Sequence, residues 1–243
     1  MFYYGYDLSY LILVLPAVLF ALWASSRVNK TFEKYNHSPT LRGMTGAQAA
    51  QEVLRSNGVY GVRIERVSGE LTDHYDPKAN VIRLSESVHD RSTPAAIGVA
   101  AHEAGHAVQY ATNYGPIKFR ASIVNITNIA SKLSMPLIII SILLMSLEFF
   151  LPYQEALYKL AMIGVLAFGM SAVFQLVTLP TEYNASRRAL ASIESSRILT
   201  EQEQYAAKQV LSAAALTYVA ALAVSLAQLL RIFLMVYRFR RDD

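Results

Sequence analysis

The chain has 243 residues, of which 53% are apolar, 11% aromatic and 16% charged, and its net charge is +4. That much apolar surface excludes intrinsic disorder, 11 Gly exclude a collagen-like repeat, and the absence of Cys excludes disulfides and thiolate metal sites. Charge is missing altogether from Leu8–Ser26, Leu133–Leu147, Leu160–Thr181 and Gln209–Leu230, runs that argue against a purely water-soluble chain, while the remaining 165 residues hold all 40 charged side chains, a soluble-protein density of 24%.

An uncharged stretch of about 18 residues or more can cross roughly 30 Å of hydrocarbon as a helix. In chain order, the first span is expected over 8–26. It has no basic segment before it and no clear small-residue cleavage site, so it reads as an uncleaved anchor rather than a signal peptide. A water-soluble region over 27–120 follows. Within it Thr45 and Gln48 have capping-box spacing and open a helix that stops at Asn57-Gly58. Val59 to Val67 is β-rich. Leu71 to Tyr75 and Val81 to Leu84, joined by Asp76-Pro77-Lys78-Ala79-Asn80, read as a hairpin. Thr93-Pro94 then starts a helix over 93–112.

Further spans are expected over 133–152, 160–180 and 209–231. Between the last two, Thr181 is placed to cap a new helix over 181–205. The fold class that results is a mainly α membrane protein with about four transmembrane helices and a small α+β domain between the first and second. Counted near the span ends, eleven basic residues (Arg27, Lys30, Lys34, Arg42, Lys118, Arg120, Lys132, Arg187, Arg188, Arg197 and Lys208) fall on one side of such a membrane and four (Lys159, Arg238, Arg240 and Arg241) on the other. By the positive-inside rule the large connection faces the cytoplasm of a plasma membrane and the N-terminus lies outside. The basic tail runs against that rule, so the last segment either tolerates the charges or does not fully cross. No basic run interleaved with aromatics points to nucleic acid. The implied partners are the lipid bilayer and a peptide or protein substrate.

The helix over 93–112 contains His102-Glu103-Ala104-Gly105-His106, the H-E-x-x-H pattern. Four residues advance a helix by about one turn, so both imidazoles project from one face toward a single ion. Glu103, one position round, can stay out of the ligand set and act as general base. A catalytic zinc takes three protein ligands and leaves a position open. His74 and His89 are possible third donors. The better one is Glu182, the first charge after the third apolar run, because two crossings separate it from His106 and return it to the same face of the membrane. The plainer reading of Glu182 is a carboxylate favoured by a helix N-terminus.

Taken together, Ser68 to Pro77, Arg83-Leu84-Ser85, Gly98 to Gln109 and Pro180 to Arg187 resemble the YugP-like neutral zinc metallopeptidases, multi-spanning bacterial membrane proteins, over nearly the whole chain. The resemblance implies a zincin-like (gluzincin) domain and one catalytic Zn2+ on His102, His106 and Glu182, with Glu103 as catalytic base. More distantly, the Glu182 segment is similar to HtpX-type and CAAX-prenyl membrane endopeptidases, in which an Asp four residues after the ligand Glu orients a zinc-bound His. Here that position is Ser186, whose hydroxyl can accept the same N–H without charge. Asn184 and Asp73 are further candidates for the orienting role. Arg187 and Arg188 are candidates to stabilise the oxyanion, or else a basic anchor of the third span. The strand Asn80 to Ser85 is expected, by analogy with zincins, to be the edge strand that receives extended substrate.

These features predict a membrane-embedded zinc endopeptidase. Two other readings stand beside it. One is a non-enzymatic scaffold with a structural zinc, which would need a fourth ligand such as His74. The other is a chain that carries the motif and holds no metal.

Overall fold

In a computed structural model, the described residues are 8–239 apart from residue 71. They divide into two compact units. One comprises 24–118 and 179–217, the other the described parts of 1–23, 119–178 and 218–243.

The first unit is built on α4 (Pro94–Ala111), which starts where Thr93 Oγ1 accepts the N–H of Ala96 and Pro94 takes the first turn. Its faces are lined with Ala, and that lets other helices come close. Ala96, Ala100, Ala101 and Ala104 share one core with Ala49, Ala50 and Val53 of α2 (Gly46–Ser56), Ala189 and Ile193 of α6 (Gln154–Ser195), and Ala207, Val210 and Leu211 of α7 (Glu201–Phe239). At α2 the expected capping box is present in both directions: Thr45 Oγ1 accepts from Gln48 N, and Gln48 Oε1 accepts from Thr45 N.

Three strands complete this unit: β1 (Arg63–Val67), β2 (His74–Asp76) and β3 (Val81–Ser85), in the order β1-β3-β2. The hairpin pairs β2 with β3 antiparallel, with Tyr75 opposite Ile82, across a turn in which Asp76 Oδ1 accepts the N–H groups of Lys78 and Ala79. Leu71, where the first hairpin strand was expected to begin, lies outside the described residues. The expectation for Asn80 to Ser85 is corrected. This strand is central, because β1 pairs with it in parallel on its other side. Its Val81, Ile82, Leu84 and Ser85 are all buried, the pattern of a strand covered on both faces rather than of an edge. The edge strand near α4 is β2. A short helix α3 (Glu86–His89), with no counterpart in the sequence reading, leads on toward α4.

Gly105 faces α6 where no side chain fits. A Cβ on Gly105 would stand 2.6 Å from the backbone oxygen of Ala185. Gly105→Ala gains about 1 kcal/mol of helix propensity, but forcing two backbones apart costs about 1–3 kcal/mol or more. A lower thermal unfolding midpoint is the expected result, and an unchanged or raised midpoint would show that the contact gives way freely.

Among the described residues four helices are long and apolar enough to cross a membrane: the π turn Tyr10–Val14 with α1 (Leu15–Tyr35), α5 (Gly115–Met145), the segment ending in α6, and α7. In the second unit Ile138, Ala161, Val165, Ile232 and Val236 form a small core. Around it Leu19, Leu22, Ile126, Ile129, Leu143, Ile163 and Leu166 are exposed, so the helices are apolar on their outer faces too, the pattern of a helix solvated by lipid.

Helix boundaries differ from the sequence expectation. The helix expected over 133–152 begins at Gly115 and ends at Met145, and Glu148–Tyr153 is a 3-10 turn. Pro152 disfavours helix in the residue before it, and Leu147 is extended. Thr181 caps no new helix either. The apolar run and the polar segment beyond it form the single helix α6, which continues through Pro180. At the other end α7 runs unbroken past Arg231, whose guanidinium lies over the Tyr10 ring, while Arg240 and Arg241 lie outside the described residues.

Candidate metal centre

His102 and His106 stand on one face of α4, their rings 4.7 Å apart and nearly perpendicular. Across from them α6 presents Glu182, which is 3% exposed. Glu182 Oε2 is 3.2 Å from His102 Nε2 and 3.3 Å from His106 Nε2. Among the described residues these three are the group of His and carboxylate side chains whose ligand atoms converge, all within 4.8 Å of one another.

The donor set fits zinc. Two ligands held about 2.0–2.1 Å from one tetrahedral ion lie about 3.3 Å apart, and the two Nε2–Oε2 separations match that spacing. The outer nitrogens are also engaged. His102 Nδ1 is 3.0 Å from Ser186 Oγ, and His106 Nδ1 is 3.0 Å from Gln109 Oε1. With each Nδ1 tied back, both Nε2 atoms are directed at the shared point. Burial by itself would push the His106 imidazolium down. The hydrogen bond to Glu182 and the negative charge of Glu103 outweigh burial, so its pKa lies above the ordinary imidazole value.

Glu103 is 9% exposed and stays out of the converging set. Its Oε2 accepts the backbone N–H of Tyr75 at 2.9 Å, which fixes one carboxylate oxygen against the edge strand β2. Asp73 does not reach the histidines. It accepts the N–H and Oγ–H of Ser85, and burial raises its pKa.

The remaining residues singled out by sequence fall in different places. His74 is exposed on β2, with Nδ1 against the Thr72 carbonyl and Nε2 facing Arg83, and His89 pairs with Asp90. Neither belongs to the converging group. Asn184 accepts from Arg188 Nε at 2.8 Å, and the Arg188 guanidinium lies over the Tyr114 ring. Arg187 is exposed and lines a groove between α6 and α7 with Tyr183, Leu190, Lys208 and Leu211. Sequence reasoning assigned no role to Gln109, which is fully buried. Its signal was a polar residue one turn beyond His106 on a helix otherwise lined with Ala.

Residues 10–237 match the family described as "Putative neutral zinc metallopeptidase". The chain is 42% identical over 234 residues, 96% of its own length and 99% of the relative's, to a Bacillus subtilis (strain 168) protein called "Putative membrane protease YugP". No solved structure matches it.

Proposed function

Because the chain belongs to the neutral zinc metallopeptidase family, we propose that it is a membrane-embedded endopeptidase that hydrolyses peptide bonds at one zinc site. The observation that carries the proposal is the convergence of His102 Nε2, His106 Nε2 and Glu182 Oε2 at tetrahedral ligand spacing. Three donors leave a position open, as hydrolysis requires and as a structural site does not. Zinc held there would polarise the scissile carbonyl and bring the pKa of a water toward 7.

The chain's own residues do the rest. Glu103, with Oε2 held by the Tyr75 N–H, has its other oxygen available to take the proton of the attacking water and to return it to the leaving amine. Glu182 contributes a negative charge between the two imidazoles, and Ser186 and Gln109 hold the rings. Arg188 is engaged by Asn184 and Tyr114, so of the two arginines Arg187 is the better candidate for the oxyanion. The excess of basic residues between the first and second spans, and between the third and fourth, supports a site facing the cytoplasm and an N-terminus outside. Substrates are then peptides or unfolded or membrane-proximal protein segments.

Metal removal tests the proposal. The purified full-length chain in detergent is expected to carry about one zinc, to lose cleavage of an unfolded protein substrate on chelation and to recover it with added zinc. Cleavage that survives complete removal of the metal overturns the reading.

A further inference from the structure

Gln109 is wholly buried, and all of its hydrogen-bonding capacity toward its neighbours is assigned. Its Nε2 donates to the Thr181 carbonyl at 2.8 Å and to Asn184 Oδ1 at 3.0 Å, and its Oε1 lies 3.0 Å from His106 Nδ1. An amide can in general be turned over, exchanging oxygen and nitrogen. Here the direction is imposed from outside. Arg188 is permanently protonated and has no acceptor, so Asn184 must present its oxygen to Arg188 Nε. That same oxygen then requires a donor from Gln109, as does the Thr181 carbonyl. Gln109 is left with its own oxygen facing His106, and an oxygen there requires a proton on Nδ1. Nδ1 must therefore keep its proton, and Nε2, which faces Glu182, is the nitrogen left to give up its proton when a metal binds.

We propose that Arg188, Asn184 and Gln109 form a directional relay, anchored by the fixed polarity of the guanidinium, that sets the tautomer of His106 and so presents Nε2 for metal binding. They are positioning residues and take no part in bond making. Tyr114 steadies the anchor, since its ring lies under the guanidinium and its N–H donates to the Gln109 carbonyl at 2.9 Å. His102 has no such device. Its outer nitrogen meets the Ser186 hydroxyl, which can turn to donate or accept and so dictates nothing.

The relay's effect on metal binding rests on the proposed zinc site, whereas the tautomer is measured without any metal. In the metal-free full chain, labelled with 15N-histidine, long-range proton–nitrogen spectra are expected to show His106 with a proton on Nδ1. In Gln109→Leu and Arg188→Met that Nδ1 proton is expected to be partly or wholly lost, leaving the proton on Nε2 beside Glu182. Zinc affinity, measured by competition with a chromophoric chelator, is expected to fall about 10- to 100-fold in Gln109→Leu and Asn184→Leu. Asn184→Asp, which keeps an acceptor toward both neighbours, should stay within about threefold of wild type. If Gln109→Leu does not fold, the two Asn184 variants decide, because a purely structural role gives no reason for aspartate to rescue metal affinity. Either a wild-type His106 without a proton on Nδ1 or equal zinc affinity in the Asn184 pair overturns the relay. A wild type with the Nδ1–H tautomer that holds no zinc would overturn the proposed function and leave the relay standing.

Discussion

Replacing Glu103 with Gln is expected to abolish peptide cleavage while the protein keeps its zinc. The substitution is nearly isosteric, and the new amide oxygen can still accept the Tyr75 N–H, so β2 and α4 keep their contact. What disappears is a group able to take up a proton, and loss of general acid–base catalysis costs about 10²- to 10⁴-fold. Glu103 is outside the set of converging donors, so metal content should remain at the wild-type value. Turnover and zinc stoichiometry measured on the same preparation check both halves. A variant that cleaves at the wild-type rate removes Glu103 from the reaction, and one that loses its zinc makes Glu103 a ligand instead of a base.

Replacing Glu182 with Ala has the opposite signature, with metal and activity falling together. In the proposed site Glu182 supplies the charged donor of the three, and it lies within 3.3 Å of both Nε2 atoms. Losing a residue that merely orients a ligand weakens metal binding about 10- to 100-fold, so loss of the ligand itself is expected to exceed about 100-fold. Helical content should change little, since the core around Ala189 and Ile193 holds α6 against the rest of the first unit. Stoichiometric zinc retained by Glu182→Ala would move the third donor elsewhere and undo the case for the site. It would also revive the helix-terminus reading, although Glu182 lies well inside the continuous α6.

The features legible from sequence are those with local or paired signals. Thr45 with Gln48 and Thr93 with Pro94 mark helix starts that follow from backbone hydrogen bonding within four residues. The spacing of His102 and His106 fixes their common face. Glu182 was found by counting crossings, and Ser186, suggested by resemblance to distant endopeptidases, does lie against the outer nitrogen of His102. What escaped depends on contacts between distant segments. Nothing in Arg63–Val67 says that it pairs in parallel with Val81–Ser85, so the strand expected at the edge is the middle one. The unbroken α6 was hidden because Thr181, at the end of the third apolar run, reads as a fresh cap. Gln109 went unassigned because its partners, Thr181 and Asn184, lie 72 and 75 residues away.

His102 and Glu182 are separated by 80 residues of chain, and those residues include all of α5 and most of α6. During synthesis the two imidazoles are therefore made long before the carboxylate. A ribosome that has translated only as far as Thr181 has produced a chain with the motif histidines and Glu103 but without Glu182. On the proposed ligand set such an intermediate is one donor short, and with it lacks the means to cut neighbouring nascent proteins. The order of residues along the chain would then act as a clock, in which the proposed hydrolytic competence arrives only after the segment leading out of the third apolar run has been made.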